Sequence, residues 1–261
     1  MKVLRKIEEL RKELGNKKDS KIVLVPTMGY LHSGHLALVK KAKEFGDIVV
    51  MSIFVNPIQF GPNEDFDKYP RDFKRDEQLA ESAGVDYIFY PERDEMYKNH
   101  KTYVSVSDIT ELLCGEKRPG HFTGVATVVL KLFNIVKPYA AVFGLKDAQQ
   151  VRVIEKMVED LNVDIKIVRA EIIREESGLA LSSRNKYLSQ KGKEKAVALS
   201  KSLEMAKNLI ENGERTASVL KEKIAEFILK EAEDAKIDYI EIVDYEKMEK
   251  TEKLTGEVLI A

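Results

Sequence analysis

The chain has 261 residues, 44% of them hydrophobic and 33% charged, with 43 basic against 44 acidic side chains. That composition excludes a disordered chain, and the even balance excludes a global field drawing the protein to nucleic acid or to an anionic membrane. Cys114 is the single cysteine, which excludes an intrachain disulfide and a cysteine-built zinc site; with no long apolar run, a protein of the reducing cytoplasm without a membrane span is expected.

Val3, Leu4, Ile7, Leu10 and Leu14 share a helical stripe, so an amphipathic helix is expected over 3–15. Residues 21–26 contain Ile22-Val23-Leu24-Val25, the apolar run of a buried parallel strand. A loop over 27–34 leads to helical spacing over 35–46, and 47–55 is a second apolar strand. Helix 72–83, strand 85–90, helix 123–136, strand 140–143, helix 146–161 and strand 164–173 continue the alternation. Strands alternating with helices specify right-handed crossovers and an α/β fold built on a doubly wound parallel sheet. After Arg184 the texture changes to two charged amphipathic helices, 190–211 and 214–235, and two strands, 238–243 and 258–260, of a smaller α+β C-terminal domain. The boundary is placed near 175–187, dividing the chain into 1–176 and 177–261.

The chemistry-bearing residues cluster where strands end. Met28-Gly29-Tyr30-Leu31-His32-Ser33-Gly34-His35 runs from a strand into a helix, where open α/β sheets bind ligands and where free N–H groups favour phosphate. Gly34 permits close backbone approach, and two imidazoles can donate to phosphate oxygens as charge builds. A surface turn and a His-x-x-His metal pair are the alternatives, but zinc needs more ligands, and only His100 and His121 remain among the histidines. Leu181-Ser182-Ser183-Arg184-Asn185 can clamp a polyphosphate with hydroxyls and a guanidinium, or be a solvated turn. In Gly144-Leu145-Lys146-Asp147, Lys146 can neutralise phosphate charge, while Asp147 can equally cap the next helix. Pro57 ends the second strand, so Asn56 and Gln59 are expected to project into the cleft, or to serve turn chemistry alone. In Arg118-Pro119-Gly120-His121-Phe122-Thr123-Gly124, Thr123 can cap a helix, and Arg118 and His121 can face an anionic substrate or belong to a structural turn.

Taken in order and spacing, Pro26-Thr27-Met28-Gly29, His32-Ser33-Gly34-His35, Asn56-Pro57-Ile58-Gln59-Phe60, Arg118 to Phe122, Gly144 to Gln150 and Gly178 to Asn185 resemble the pantothenate synthetase (pantoate–β-alanine ligase) family of the nucleotidylyltransferase superfamily. The resemblance covers nearly the whole chain and is rich in motifs from Pro26 to Leu188. It implies a Rossmann-like domain with a smaller lid domain, and ATP, magnesium, (R)-pantoate and β-alanine bound by a cytoplasmic homodimer. It implies that Met28 to His35, Gly144 to Asp147, Ile173 and Leu181 to Arg184 hold ATP. Catalysis falls to His35, as proton donor, with His32 and Lys146. Gln59 and Gln150 would hold pantoate, with Gln59 also near β-alanine. No protein-held metal site is assigned. Leu145 and Leu181 depart from the family's usual residues, and a side-chain role for position 145 in ATP binding would be in doubt. A plain nucleotidylyltransferase and a nucleotide sensor are the rival readings. The first needs cations for a second phosphate where this chain offers Gln59 and Gln150.

Overall fold

The computed structural model describes residues 1–17 and 19–261. The strands are β1 Lys2–Leu4, β2 Ile22–Thr27, β3 Ile48–Ile53, β4 Tyr87–Phe89, β5 Ala140–Gly144, β6 Lys166–Ala170, β7 Ile242–Asp244 and β8 Val258–Ile260. The helices are α1 Ile7–Gly15, α2 Ser33–Ala42, α3 Phe73–Ala83, α4 Arg93–Tyr97, α5 Cys114–Lys117, α6 His121–Val136, α7 Ala148–Asp160, α8 Gln190–Glu211 and α9 Ala217–Glu231. They cluster into two units, Met1–Ser107 with Arg118–Ile173, and Asp108–Lys117 with Arg174–Ala261. The second thus takes in a segment that the sequence pattern leaves with the first.

The first unit is a six-stranded parallel sheet in the order β1-β4-β3-β2-β5-β6. Every residue of β3 is buried, because a parallel sheet is covered on both faces. Alternate residues feed opposite cores. Leu24, Val50, Phe89 and Phe143 pack with residues of α1, α6 and α7, whereas Val25, Met51, Ile53 and Ile88 pack with Leu31, Val39, Ala42 and Ala80. α3 starts where the Asp72 carboxylate accepts from the Arg75 N–H (3.2 Å) and stops at Gly84, whose φ of 78° requires glycine. Chain reversal falls on β2, whose neighbours β3 and β5 lead away in opposite directions; this opens a crevice at the carboxyl ends of the strands.

The second unit packs α8 on α9 around Leu220, Ile224 and Ile242, beside the antiparallel pair β7 and β8. This is the α/β architecture with a smaller α+β part that the sequence pattern specifies.

Several local expectations need correction. Residues 3 and 4 are not helical: β1 pairs in register with β4, Val3 packs into one core and Leu4 into the other. That is the period-two alternation of a strand, which over two residues resembles a helical stripe. α2 begins at Ser33 rather than 35 and ends at Ala42. α6 begins at His121, so Gly120 with φ of 81°, and not Thr123, is its capping residue. Residues 145–147 form a 3-10 turn before α7, α9 starts at Ala217, and β7 lies at 242–244 instead of 238–243.

Candidate active site

The loop from β2 to α2 is shaped by its main chain. Thr27 Oγ1 donates to Ser52 O (2.7 Å) and accepts from Gly29 N (3.2 Å). Gly29 and Tyr30 both take positive φ, 82° and 51°. A Cβ on Gly29 would lie 2.9 Å from Asp76 Oδ2 and 2.9 Å from Ile53 Cγ2, so only glycine fits. Asp76, on α3, accepts from Tyr30 N at 2.7 Å and Leu31 N at 2.6 Å. Burial pushes its pKa up, against the pull of those two bonds and of Arg75. Beside the loop lies a cavity of about 260 Å³, with Met28, Tyr30, Phe54, Phe73, Asp76 and Tyr90 among its walls.

His32 precedes the first turn of α2, and its N–H donates to His35 Nδ1 (3.3 Å). Since Nδ1 accepts, the His35 ring carries its proton on Nε2. The two ring centroids are 4.0 Å apart. Desolvation, then the neighbouring His32 and Lys146, lower the His35 pKa to about 3. Desolvation, then Lys146 and Arg75, lower that of His32 to about 4. Both imidazoles are therefore neutral near pH 7 and can donate a hydrogen bond without bringing charge. His32 Nδ1 is buried with no hydrogen-bond partner identified among the described residues.

Lys146 enters from the end of β5, where Gly144 approaches Leu38 of α2. Its Nζ donates to Asp147 Oδ1 at 2.9 Å. Asp147 precedes α7 yet makes no capping bond, so of its two open roles the structural one is not taken. Gln149 is buried at the start of α7; Gln150 and Leu145 are half-buried.

The turn after β3 is held by its own side chains. Asn56 does not project into a cleft: it is 1% exposed. Its Nδ2 donates to Gln59 Oε1 (3.0 Å) and Gly124 O (3.1 Å), and its Oδ1 accepts from Tyr97 Oη (2.8 Å). Gln59 Nε2 faces Met28 Sδ at 3.1 Å, a weak acceptor that a carboxylate or hydroxyl oxygen can replace. α6 presses so close that a Cβ on Gly124 would lie 2.4 Å from Ile58 O and 2.5 Å from Gln59 Cα. His121 Nδ1 donates to Gln59 O (2.8 Å), which leaves Nε2 to accept from Arg118 Nη1 (3.1 Å). Arg118 also grips Glu64 through Nε at 2.8 Å and through Nη2. Arg118 and His121 thus brace Gln59 from behind.

In the second unit Ser182 accepts from Arg184 N (3.3 Å) and opens a 3-10 turn, Ser183–Tyr187. Arg174 and Ala180 form an antiparallel bridge, closed by Glu175 N to Leu179 O (2.8 Å) and turned at Gly178, whose φ is 96°. The run 175–178 is therefore a tight turn and not a free polar segment. Of the expected nucleotide residues, Met28 to His35, Gly144 to Asp147 and Ile173 fall in the first unit, and Leu181 to Arg184 in the second.

Sequence reasoning missed Asp76, Glu64, Tyr97 and the tight fit at Gly124. Asp76 did leave a signal, since it shares an inward helical stripe with Phe73, Ala80 and Ala83, where a carboxylate is out of place.

The pantoate-beta-alanine ligase family model matches residues 2–261. The pantothenate synthetase of Caldicellulosiruptor saccharolyticus is 59% identical over all of this chain and 94% of its own length. That of Fervidobacterium nodosum is 54% identical, over all of this chain and 92% of its own. The crystal structure of pantothenate synthetase from Thermus thermophilus superposes with a TM-score of 0.94 at 42% identity, covering 99% of this chain and 92% of that one. The pantoate-beta-alanine ligase of Francisella tularensis, crystallised with beta-gamma ATP and beta-alanine, gives 0.79 at 35% identity, covering all of this chain and 92% of that one. Matched along its whole length by the family model and by such relatives, this chain belongs to the pantoate-beta-alanine ligase family of enzymes.

Proposed function

We propose that the chain condenses (R)-pantoate with β-alanine in two steps at the crevice above β2 and β5. A pantoate carboxylate oxygen attacks the α-phosphorus of ATP; the new P–O bond forms as the bond to pyrophosphate breaks, and pyrophosphate leaves with the electron pair. The amine of β-alanine then attacks the carbonyl carbon of pantoyl adenylate, loses a proton, and AMP departs, leaving pantothenate. The observation that carries this reading is the pair of half-buried, neutral imidazoles beside Lys146 at the N-terminus of α2. Oriented donors and a cation at a helix N-terminus stabilise charge growing on phosphate oxygens. His35 Nε2–H is the proposed donor; His32 and Lys146 share the charge.

Met28 to His35, Gly144 to Asp147 and Ile173 would hold the nucleotide, with Leu181 to Arg184 closing on the triphosphate from a lid formed by 177–261. Gln59 and Gln150 would take pantoate, Gln59 also meeting β-alanine, and the weak bond from Gln59 to Met28 supports that role. No group of three or more His, Cys, Asp or Glu side chains among the described residues is placed to hold a metal. Magnesium would enter as the counter-ion of the nucleotide substrate. A homodimer in the cytoplasm completes the reading; no helix among the described residues is long and apolar enough to cross a membrane. The relatives' names and the Francisella tularensis complex support ATP and β-alanine as substrates.

The test is exchange of labelled pyrophosphate into ATP. Exchange that needs pantoate and proceeds without β-alanine is expected. Exchange that needs the amine overturns the order of steps.

A further inference from the structure

We infer that Asp76 is a positioning residue for the adenylylation step, acting on the two histidines through the main chain of Tyr30 and Leu31. The inference rests on the reaction proposed above.

Asp76 is 1% exposed and sits in the inward stripe of α3, where Ala80 fills the same core without charge. A buried carboxylate is costly, and an apolar residue of similar volume would serve packing as well or better. What the carboxylate provides is a pair of acceptors. Each oxygen takes one N–H, Oδ2 that of Tyr30 (2.7 Å) and Oδ1 that of Leu31 (2.6 Å). Bonds to a charged acceptor are short and strong.

Those bonds fall where the loop needs them. Tyr30 holds φ of 51° directly after Gly29 at 82°, a conformation that a residue with a Cβ keeps only when its surroundings enforce it. Packing does not enforce it on this side, since Tyr30, Met28 and Asp76 all border the cavity. Another grip on Tyr30 is the exposed Arg75 guanidinium, 5.1 Å from its ring. The residue after Leu31 is His32, whose N–H sets the His35 ring through Nδ1. A shift of the Leu31 peptide therefore moves the imidazoles relative to a bound phosphate, and misplacement by about 1 Å can lower a rate by about 10²-fold.

The test separates adenylylation from aminolysis. In Asp76→Asn one oxygen becomes an amide NH₂ that faces a backbone N–H, so one bond is lost. Pantoate-dependent pyrophosphate exchange should fall about 10²-fold in kcat with little change in KM for ATP, the mark of contacts made in the transition state. Aminolysis of supplied pantoyl adenylate should continue at the unsubstituted rate. Arg75→Ala, which leaves both bonds intact, should lower exchange by about fivefold at most, the size of an exposed cation–aromatic contact. Equal loss in both half-reactions, failure of Asp76→Asn to fold, undiminished exchange, or an equal loss in Arg75→Ala each overturns the assignment. The unsubstituted enzyme gives a second check by hydrogen exchange. Slow exchange at the Tyr30 and Leu31 amides supports the clamp, and exchange at unstructured rates overturns it. If the unsubstituted enzyme shows no pantoate-dependent exchange, the reaction is at fault, and amide protection still decides whether Asp76 holds the loop.

Discussion

The turns after β2 and β3 leave the same end of neighbouring strands, yet they are held by opposite means. After β2 the peptide groups are fixed by a carboxylate from another element, and His32 and His35 keep ring atoms available. After β3 the side chains are spent on structure, with Asn56 bonded on both sides of its amide. Only Gln59 retains an exchangeable bond, to the Met28 thioether. Under the proposed reaction, the difference teaches that reactive side chains need a backbone held by something else, whereas a recognition surface can be built from side chains that hold one another.

The largest effect is expected from the substrate. An acid that lacks the hydroxyls of pantoate would leave the Gln59 and Gln150 amides unpaired, lowering kcat/KM by up to about 10⁴-fold. Comparable turnover of the deoxy acid would break the recognition half of the comparison. Next, His35→Ala should slow adenylylation by roughly 10²–10³-fold, the loss of one oriented donor, and slow aminolysis of supplied pantoyl adenylate less. Equal losses would make His35 a structural residue.

A smaller effect is expected at Gly124. Gly124→Ala drives a methyl into the Ile58 carbonyl and should lower stability by about 1–3 kcal/mol, read by urea unfolding. It should also raise KM for pantoate more than KM for ATP, because the displaced atoms belong to Gln59.

The smallest effect is a pH dependence. The folded-state values of about 4 for His32 and about 3 for His35 lie below the ordinary 6.5. Between those values and 6.5 the unfolded chain binds more protons than the folded one, so stability falls as pH drops below 6.5. Above 6.5 these groups contribute no slope. Asp76 acts in the opposite sense, because its raised pKa favours proton uptake by the folded state. Melting temperatures at about pH 8 and about pH 5 should differ less in His35→Gln than in the unsubstituted enzyme, which isolates the histidine contribution.

The central strands were legible because parallel strands buried on both faces read as unbroken apolar runs, as in Ile48–Ile53. β1 was not, because its three residues are too few to show a period. The His32 to His35 motif was legible as a strand-to-helix loop, and the sheet order then put it beside the point where strand order reverses, the usual ligand position in open α/β sheets. Asn56 stayed open between cleft and turn because a polar residue before proline at a strand end ordinarily faces water. Its burial depends on Tyr97 and Gly124, 41 and 68 residues away in the chain. Asp76 escaped notice because a carboxylate on a charged helix is ordinarily solvated, and its partners are backbone groups that no side-chain pattern records.

The edge strand β1 has a consequence for how the molecule comes into being. Lys2 to Leu4 pair in register with Tyr87 to Phe89, Lys2 N donates to Asp86 O (2.9 Å), Leu4 O accepts from Tyr90 N (2.9 Å), and Lys6 pairs with Glu95 (3.0 Å). On a ribosome β1 must therefore wait for a partner some 85 positions later. At about 5–20 residues per second that delay lasts roughly 4–17 seconds. β2 and β3 can meet sooner, since their paired residues are only 26 positions apart. On this side the sheet thus closes outward from β2 and β3, and β1 is fastened only once β4 is made.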